Sequence, residues 1–597
     1  MHLHQPPTTQ APPRSTILRR GVFWVLLLSG FLWFFSDPAA TESRAAKASS
    51  PEDIAAPSGD DHASLLLRNG RFYTVSTPAI VDGSMVVQNG RIAFLGATEE
   101  ALRWAGPQTQ ILELEGRAVT PGWIDAHSHL LNLGAALEQA DLHGASTYEE
   151  VIARLQSAAA GLPAGSWVEG RGWDQNDWPK TDFPHHQALS EALPNHPVWA
   201  TRVDGHAVLL NARAMAELEL DDSVVNPSGG LYLRDDQEGL SGVLIDNAID
   251  AVASRRPAAE PQDLSRQLVA AAHHCLERGL TTVTDMGLHQ AGLDAYQQLD
   301  ETNQLPIRSS VYLTDHAPLL ERWMSQGTRW DEDLRFMVRG IKLYADGALG
   351  SRGAALVEPY SDDEGNLGLL TSSGAHMEDV ARRALDAGFQ VGVHAIGDRG
   401  GLVVLDALER AFGGKPQPQA RFRMEHAQVM RLADIQRLAQ LGIIASMQPT
   451  HATSDMPWAG ARVGDHRLEG AYAWRKVLDA GGRLALGSDF PVERAAPLLG
   501  FYAAVTRQDL EGEPADGWLP QERLSRAEAL RGFTLDAAYS LFLEEELGSL
   551  DVGKRADLVI FAQDPMSVAT QELPTIAIDW TLVEGEIAFA RGESPES

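Results

Sequence analysis

Two histidines stand two residues apart in the run Val119-Thr120-Pro121-Gly122-Trp123-Ile124-Asp125-Ala126-His127-Ser128-His129. Side chains alternate along a β-strand, so a strand here turns Asp125, His127 and His129 to one face. Two imidazoles on one face can hold a single metal ion, and their neutral form is available near neutral pH. A lone His-x-His pair sits as easily on a solvated strand; later strands decide whether it has partners. Lys342 lies in the apolar run Arg339-Gly340-Ile341-Lys342-Leu343-Tyr344, in a chain with only six lysines. A lysine kept inside such a strand points to chemistry that arginine cannot do. Burial lowers its pKa, and the neutral amine can add carbon dioxide to give a carbamate able to bridge two metal ions. Val391-Gly392-Val393-His394 and Arg423-Met424-Glu425-His426 each end a strand on a histidine, and Leu484-Ala485-Leu486-Gly487-Ser488-Asp489 ends on an aspartate. Taken singly, these read as a solvated edge, structural histidines and a helix cap. Taken together, they read as one metal site.

The elements that must position these residues are repeated strand–helix units. Strand-like runs end at Asp125-His129, Trp199-Asp204, Thr282-Asp285, Ile341-Asp346, Val391-His394, Phe422-His426, Ile443-Gln448 and Leu484-Asp489. Helical stretches such as Pro261-Arg278, His376-Ala387 and Leu432-Leu441 fall between several of them. The alternation predicts an α/β fold, a (β/α)8 TIM-like barrel over 119–544 whose strand ends converge on one catalytic face. The interval 130–280 is too long for one unit and predicts an insertion over the barrel mouth. Asn69-Gly70 and Asn89-Gly90 break short alternating runs as hairpin turns do. The same texture returns near the C-terminus, so 63–118 and 545–591 are expected to form one small β-sandwich domain.

Several longer phrases carry a resemblance: GWDQNDWP (172–179), TRVDGHA (201–207), KLYADGALGSR (342–352), VHAIGDR (393–399), EHAQ (425–428), SMQPTHAT (446–453) and GSDFPVE (487–493). With GSLDVGKRADLVIF (548–561), they resemble the amidohydrolase superfamily, and more closely its family-3 branch of N-substituted formamide deformylase-like enzymes, from about residue 63 to 590. The resemblance implies a metal-dependent hydrolase of carbon–nitrogen bonds other than peptide bonds, acting on a small molecule. It implies that His127, His129 and Asp489 hold the more buried metal. His394 and His426 would hold a second metal or complete a single site, with Lys342 bridging as its carbamate if there are two. Asp489 would also carry the proton from the attacking water to the leaving amine. Zinc is the expected ion for this His-rich, oxygen-completed set. Trp173, Asp204, His206 and His451 lie within the phrases and are candidate substrate-pocket residues, with packing as the alternative. Ester, lactone or dipeptide hydrolysis on the same site stays open, as does a non-catalytic exported binding protein.

The rest of the chain bounds these readings. A formal net charge of -32 over 597 residues argues against a nucleic-acid partner. The single cysteine, Cys275, excludes an intramolecular disulfide and reads as core. The adjacent pairs His185-His186 and His273-His274 share no strand face and read as surface or packing residues. Arg14, Arg19 and Arg20 precede the apolar run 21–35, and small residues follow, so 1–40 reads as a signal peptide or an uncleaved membrane anchor. Residues 41–62 read as a disordered linker. The expected location is outside the cytoplasm, in a bacterial periplasm, free or anchored through 21–35. The oligomeric state, including a homo-oligomer, is left open.

Overall fold

The fold was taken from a computed structural model that describes residues 62–592. The leader at 1–40 and the linker up to 61 lie outside the described residues. Among the described residues, no helix is long and apolar enough to cross a membrane.

Eight parallel strands form the centre: β1 (Trp123–Ser128), β2 (Leu280–Leu288), β3 (Arg308–Thr314), β4 (Phe336–Tyr344), β5 (Gln390–Ala395), β6 (Arg423–His426), β7 (Ile444–Met447) and β8 (Leu484–Leu486). Each pairs with the next in chain order. Their sequences are near-continuous apolar runs because both faces are covered, by helices outside and packed side chains inside. The helix Gly374–Ala387 shows the outer packing: Met377, Val380, Ala381 and Ala384 recur at helical spacing and are buried. Ser373 caps its first turn by accepting from the N–H of His376, and Gly388 ends it with φ 76°. The register sets Tyr344 beside His394 and Ala395 beside His426, which levels the functional strand ends.

The ring closes differently. Among the described residues no strand ladder joins β8 to β1. Instead the Asp489 N–H donates to the His127 carbonyl (2.7 Å) and the His129 N–H to the Phe490 carbonyl (2.9 Å). Asp125 reinforces the seam, accepting from the Ser488 hydroxyl at 2.6 Å and from the Ser488 N–H at 3.0 Å.

The third barrel strand is Arg308–Thr314, which the sequence reading did not mark. The marked run Trp199–Asp204 is no barrel strand: Val198–Arg202 pairs parallel with Val168–Trp173 and antiparallel with Ala207–Leu210. These belong to a separate six-stranded sheet built wholly between Ala140 and Asp246. That sheet has its own core around Leu155, Trp173, Trp178 and Leu209. It is the insertion, and its loops share a cavity with the barrel's strand ends.

Strands from both ends of the described chain make the third sheet. Leu65–Tyr73, Ile80–Gln88, Arg91–Gly96, Gln110–Glu113 and Ala118–Pro121 join Leu558–Phe561, Ile578–Val583 and Glu586–Ala590. The sheet bends back on itself, since the Ile92 N–H donates to the Lys554 carbonyl at 2.8 Å. Leu67, Phe72, Val87, Leu558 and Leu582 fill the space it encloses. Ala118–Pro121 runs directly into β1, so this sheet feeds the strand that carries His127.

Candidate metal centre

β1 delivers His127 and His129 to the barrel's interior end, as alternation requires. His127 is fully buried; its Nδ1 lies 2.6 Å from Glu425 Oε2. His129 Nδ1 lies 3.0 Å from the Met286 carbonyl. His426 Nδ1 lies 2.8 Å from Gln448 Oε1. In each case an oxygen holds the Nδ1–H, so the lone pair is left on Nε2. Such outer partners fix the tautomer and ring direction of metal-ligating histidines.

The free Nε2 atoms converge on Asp489. Its Oδ1 is 3.4 Å from His127 Nε2 and 3.1 Å from His129 Nε2, while Oδ2 is 3.7 Å from His451 Nε2. The donor atoms of His127, His129 and Asp489 all lie within 4.8 Å of one another, and so do those of His426, His451 and Asp489. Lys342 enters from β4 with Nζ 3.3 Å from His127 Nε2. His394 packs its ring 4.6 Å from that of His426, but its Nε2 faces the Gly347 carbonyl at 3.3 Å. The six residues expected at the metal are therefore together. His451, expected only in the substrate pocket, stands among the donors.

Electrostatics prepares the set. Burial pushes the His394 and His426 imidazoles well below their ordinary range, and the neighbouring imidazoles and Lys342 oppose a further positive charge there, so both are neutral. Burial would raise Asp489, but the histidines around it hold it well below the usual carboxylate value. Burial lowers Lys342 to about 8 against the opposing pull of Glu425 and Asp489, which brings its neutral amine within reach. Burial would likewise raise Glu425, yet Arg423 and His127 hold it at about 2. Two of these candidate donors also sit on unusual backbone: His426 has φ 69° and Asp489 φ 62°, a cost that structures retain mainly at functional sites.

These residues fit a divalent cation. The donors are imidazole nitrogens and carboxylate oxygens, gathered at the barrel's strand ends, and outer partners aim His127, His129 and His426. His451 Nε2 is buried with no hydrogen-bond partner in the protein, which a ligand would supply. The ligand set suits a borderline ion rather than a hard, oxygen-preferring one.

Above the donors lies a cavity of about 250 Å³, lined from the barrel by His394, His426, His451 and Asp489 and from the insertion by Asp204 and His206. Asp204 accepts from Arg202 at 2.5 Å and from the His206 N–H at 2.9 Å. Trp173 is a correction to the expected pocket. It is fully buried, donates from Nε1 to the Ala200 carbonyl at 2.8 Å and stacks on Trp178, so it builds the insertion's core and does not reach the cavity. Asp285, which ends a marked strand, reaches across to the neighbouring strand end, accepts from the N–H groups of Leu130 and Leu131 at the start of the helix Leu130–Ala136, and stays outside the donor set. Glu425, Gln448 and Asp246 were not foreseen, although Glu425 adjoins a histidine that was.

Residues 110–589 match the amidohydrolase family. The chain is 33% identical to the protein LONG AFTER FAR-RED 3 of Arabidopsis thaliana, over 84% of this chain and 87% of that one. It is 28% identical to an N-substituted formamide deformylase of Arthrobacter pascens, over 88% of this chain and 98% of the other. Its fold is shared with an uncharacterized metal-dependent hydrolase of Pyrococcus furiosus at 30% identity and a TM-score of 0.67, covering 84% of this chain and 100% of that structure. The family, the barrel and the metal-binding donor set agree: this chain belongs to the amidohydrolase family, metal-dependent hydrolases of carbon–nitrogen bonds.

Proposed function

We propose that the chain hydrolyses N-formyl or N-acyl amines, with zinc held by His127, His129, His394, His426 and Asp489 and with Lys342 as its carbamate if two ions bind. A divalent ion bound there would polarise a carbonyl and bring the pKa of a water down to about 7. The observation that carries the reading is the division of Asp489. Oδ1 faces His127 and His129, while Oδ2 faces outward beside His451. One oxygen is thus committed to the donor set and the other is free to accept a proton from the attacking water and hand it to the leaving nitrogen. Asp125, through Ser488, holds the loop that sets this orientation. The insertion limits the space over the site to a size suited to small substrates. The relative from Arthrobacter pascens, a deformylase by name, supports the choice of bond.

The test is a panel of N-formyl and N-acyl amines assayed with zinc-loaded protein, beside matched esters. Turnover of the amides, lost in Asp489→Asn with the fold and most of the zinc retained, is the expected result. Full activity in that variant, or turnover of esters alone, would refute the reading. We further infer export through residues 1–40; finding the intact chain in the cytosolic fraction would count against it.

A further inference from the structure

The insertion sends one side chain towards the donor set that the reaction above leaves without a task. His206 lines the cavity with its side chain 18% exposed, and its ring lies 5.1 Å from that of His394. Its Nδ1 is engaged by Asp246 Oδ1 at 2.7 Å, so Nε2 is the pole left for anything in the cavity.

Asp246 is built in at some cost. Its side chain is 1% exposed and its backbone sits at φ 50°, ψ -128°, a conformation non-glycine residues rarely adopt. Its Oδ2 is buried without a hydrogen-bond partner. The loop after β4 gives way to it: a Cβ at Gly353 would lie 2.6 Å from Oδ2, and one at Gly347 would also clash. A strained, sealed carboxylate whose hydrogen-bond partner is one cavity-facing imidazole is poorly explained as a structural staple, because an apolar pair would fill the gap with less strain.

We propose that His206 is a substrate-contacting residue contributed by the insertion, its Nε2 hydrogen-bonding the scissile amide beside His394, with Asp246 as the positioning residue that aims it. This rests on the hydrolase reading above.

The experiment compares zinc-loaded wild type with His206→Ala, His206→Gln, Asp246→Asn and the double variant His206→Ala/Asp246→Asn. His206→Ala should lower kcat/KM roughly 10²–10³-fold, the usual loss for one donor at a reacting carbonyl, with bound zinc unchanged. His206→Gln, whose amide reaches towards the Nε2 position, should recover part of that. The double variant should be no worse than His206→Ala, since groups acting as a unit are not additive. An equal penalty on secondary and tertiary formamides puts the bond on the carbonyl oxygen, with Nε2 protonated and donating; a penalty confined to secondary ones puts it on the amide N–H, with Nε2 accepting. Either supports the contact. Loss of less than threefold, loss of zinc in proportion, or multiplying penalties in the double variant would overturn it. A parallel calorimetric titration with methylphosphonate, a mimic of the tetrahedral oxyanion, separates the two readings. If His206→Ala weakens that binding roughly tenfold or more while no amide is turned over, the contact stands and the amide reading falls. Independence of His206 in both assays overturns the contact.

Discussion

Glu425→Gln is the most informative single change at the centre. Glu425 is fully buried, bonded to His127 Nδ1 at 2.6 Å and paired with buried Arg423 at 2.8 Å. Glutamine keeps the shape but removes the charge that both partners face. Two effects follow. The metal loses the partner that orients His127, which for such outer carboxylates costs about 10–100-fold in affinity. The metal-free fold loses a carboxylate held at about 2 where 4.5 is ordinary, a difference worth ~3 kcal/mol. Removing one partner of a buried ion pair gives a similar figure, about 3–5 kcal/mol. The sign of the pH effect follows from the depressed value. This stabilisation is fully present above the unfolded carboxyl's pKa and is lost as pH falls from there towards about 2. Zinc competition against a chelator reads the first effect. Urea unfolding of metal-free protein at pH 7 and pH 3 reads the second, as a lower midpoint for the variant whose deficit narrows at the acid end. Zinc affinity within threefold of wild type, in a background where His127→Ala abolishes binding, would refute the orienting role.

Three further changes probe the neighbourhood. Gly392→Ala places a Cβ 2.6 Å from Glu425 Oε1; it should displace that carboxylate and reproduce much of the zinc deficit, read in the same competition assay. Lys342→Arg keeps the charge but cannot form a carbamate. It should lower kcat at least tenfold by the usual scale for a displaced metal-site partner and remove any dependence of zinc-loaded activity on bicarbonate; an unchanged bicarbonate response would exclude the carbamate. Trp173→Phe removes the hydrogen bond to Ala200 and should destabilise the insertion by about 1–3 kcal/mol, read as a lower melting temperature, with KM for small amides unchanged.

The strands that carry the candidate donors were legible because their ends carry titratable side chains on apolar runs. His127, His129, His394, His426 and Asp489 stood out for that reason, and Lys342 as a lysine kept inside an apolar strand of a chain with only six. Arg308–Thr314 did not, since its upper end is a threonine and its only charged residue, Arg308, sits at the opposite end paired with Asp557. Trp199–Asp204 looked equally strand-like and ends in an aspartate, but only pairing partners distant in sequence decide which sheet receives it. Glu425 illustrates another limit. Strict alternation puts neighbours Glu425 and His426 on opposite faces, yet the left-handed backbone at His426 and Ala427 turns both inward. No periodicity reveals that turn. Trp173 was misplaced for the reverse reason: its phrase belongs to the family, but its ring serves the insertion's core.

The seam between β8 and β1 bears on how the barrel is completed in time. Asp125 and Ser488, which meet there, are 363 residues apart in the chain, so the ring can shut only after nearly all of it has been made. Seven strands can add one by one along the growing sheet, but the eighth must find the first across a long and entropically costly loop. The groups that meet at this join are also candidate donors: His127 and His129 on one side, Asp489 on the other. A cation shared between them would act as a clasp on the last step of folding. Metal supply during synthesis would then govern the yield of closed barrels as well as the activity of finished ones.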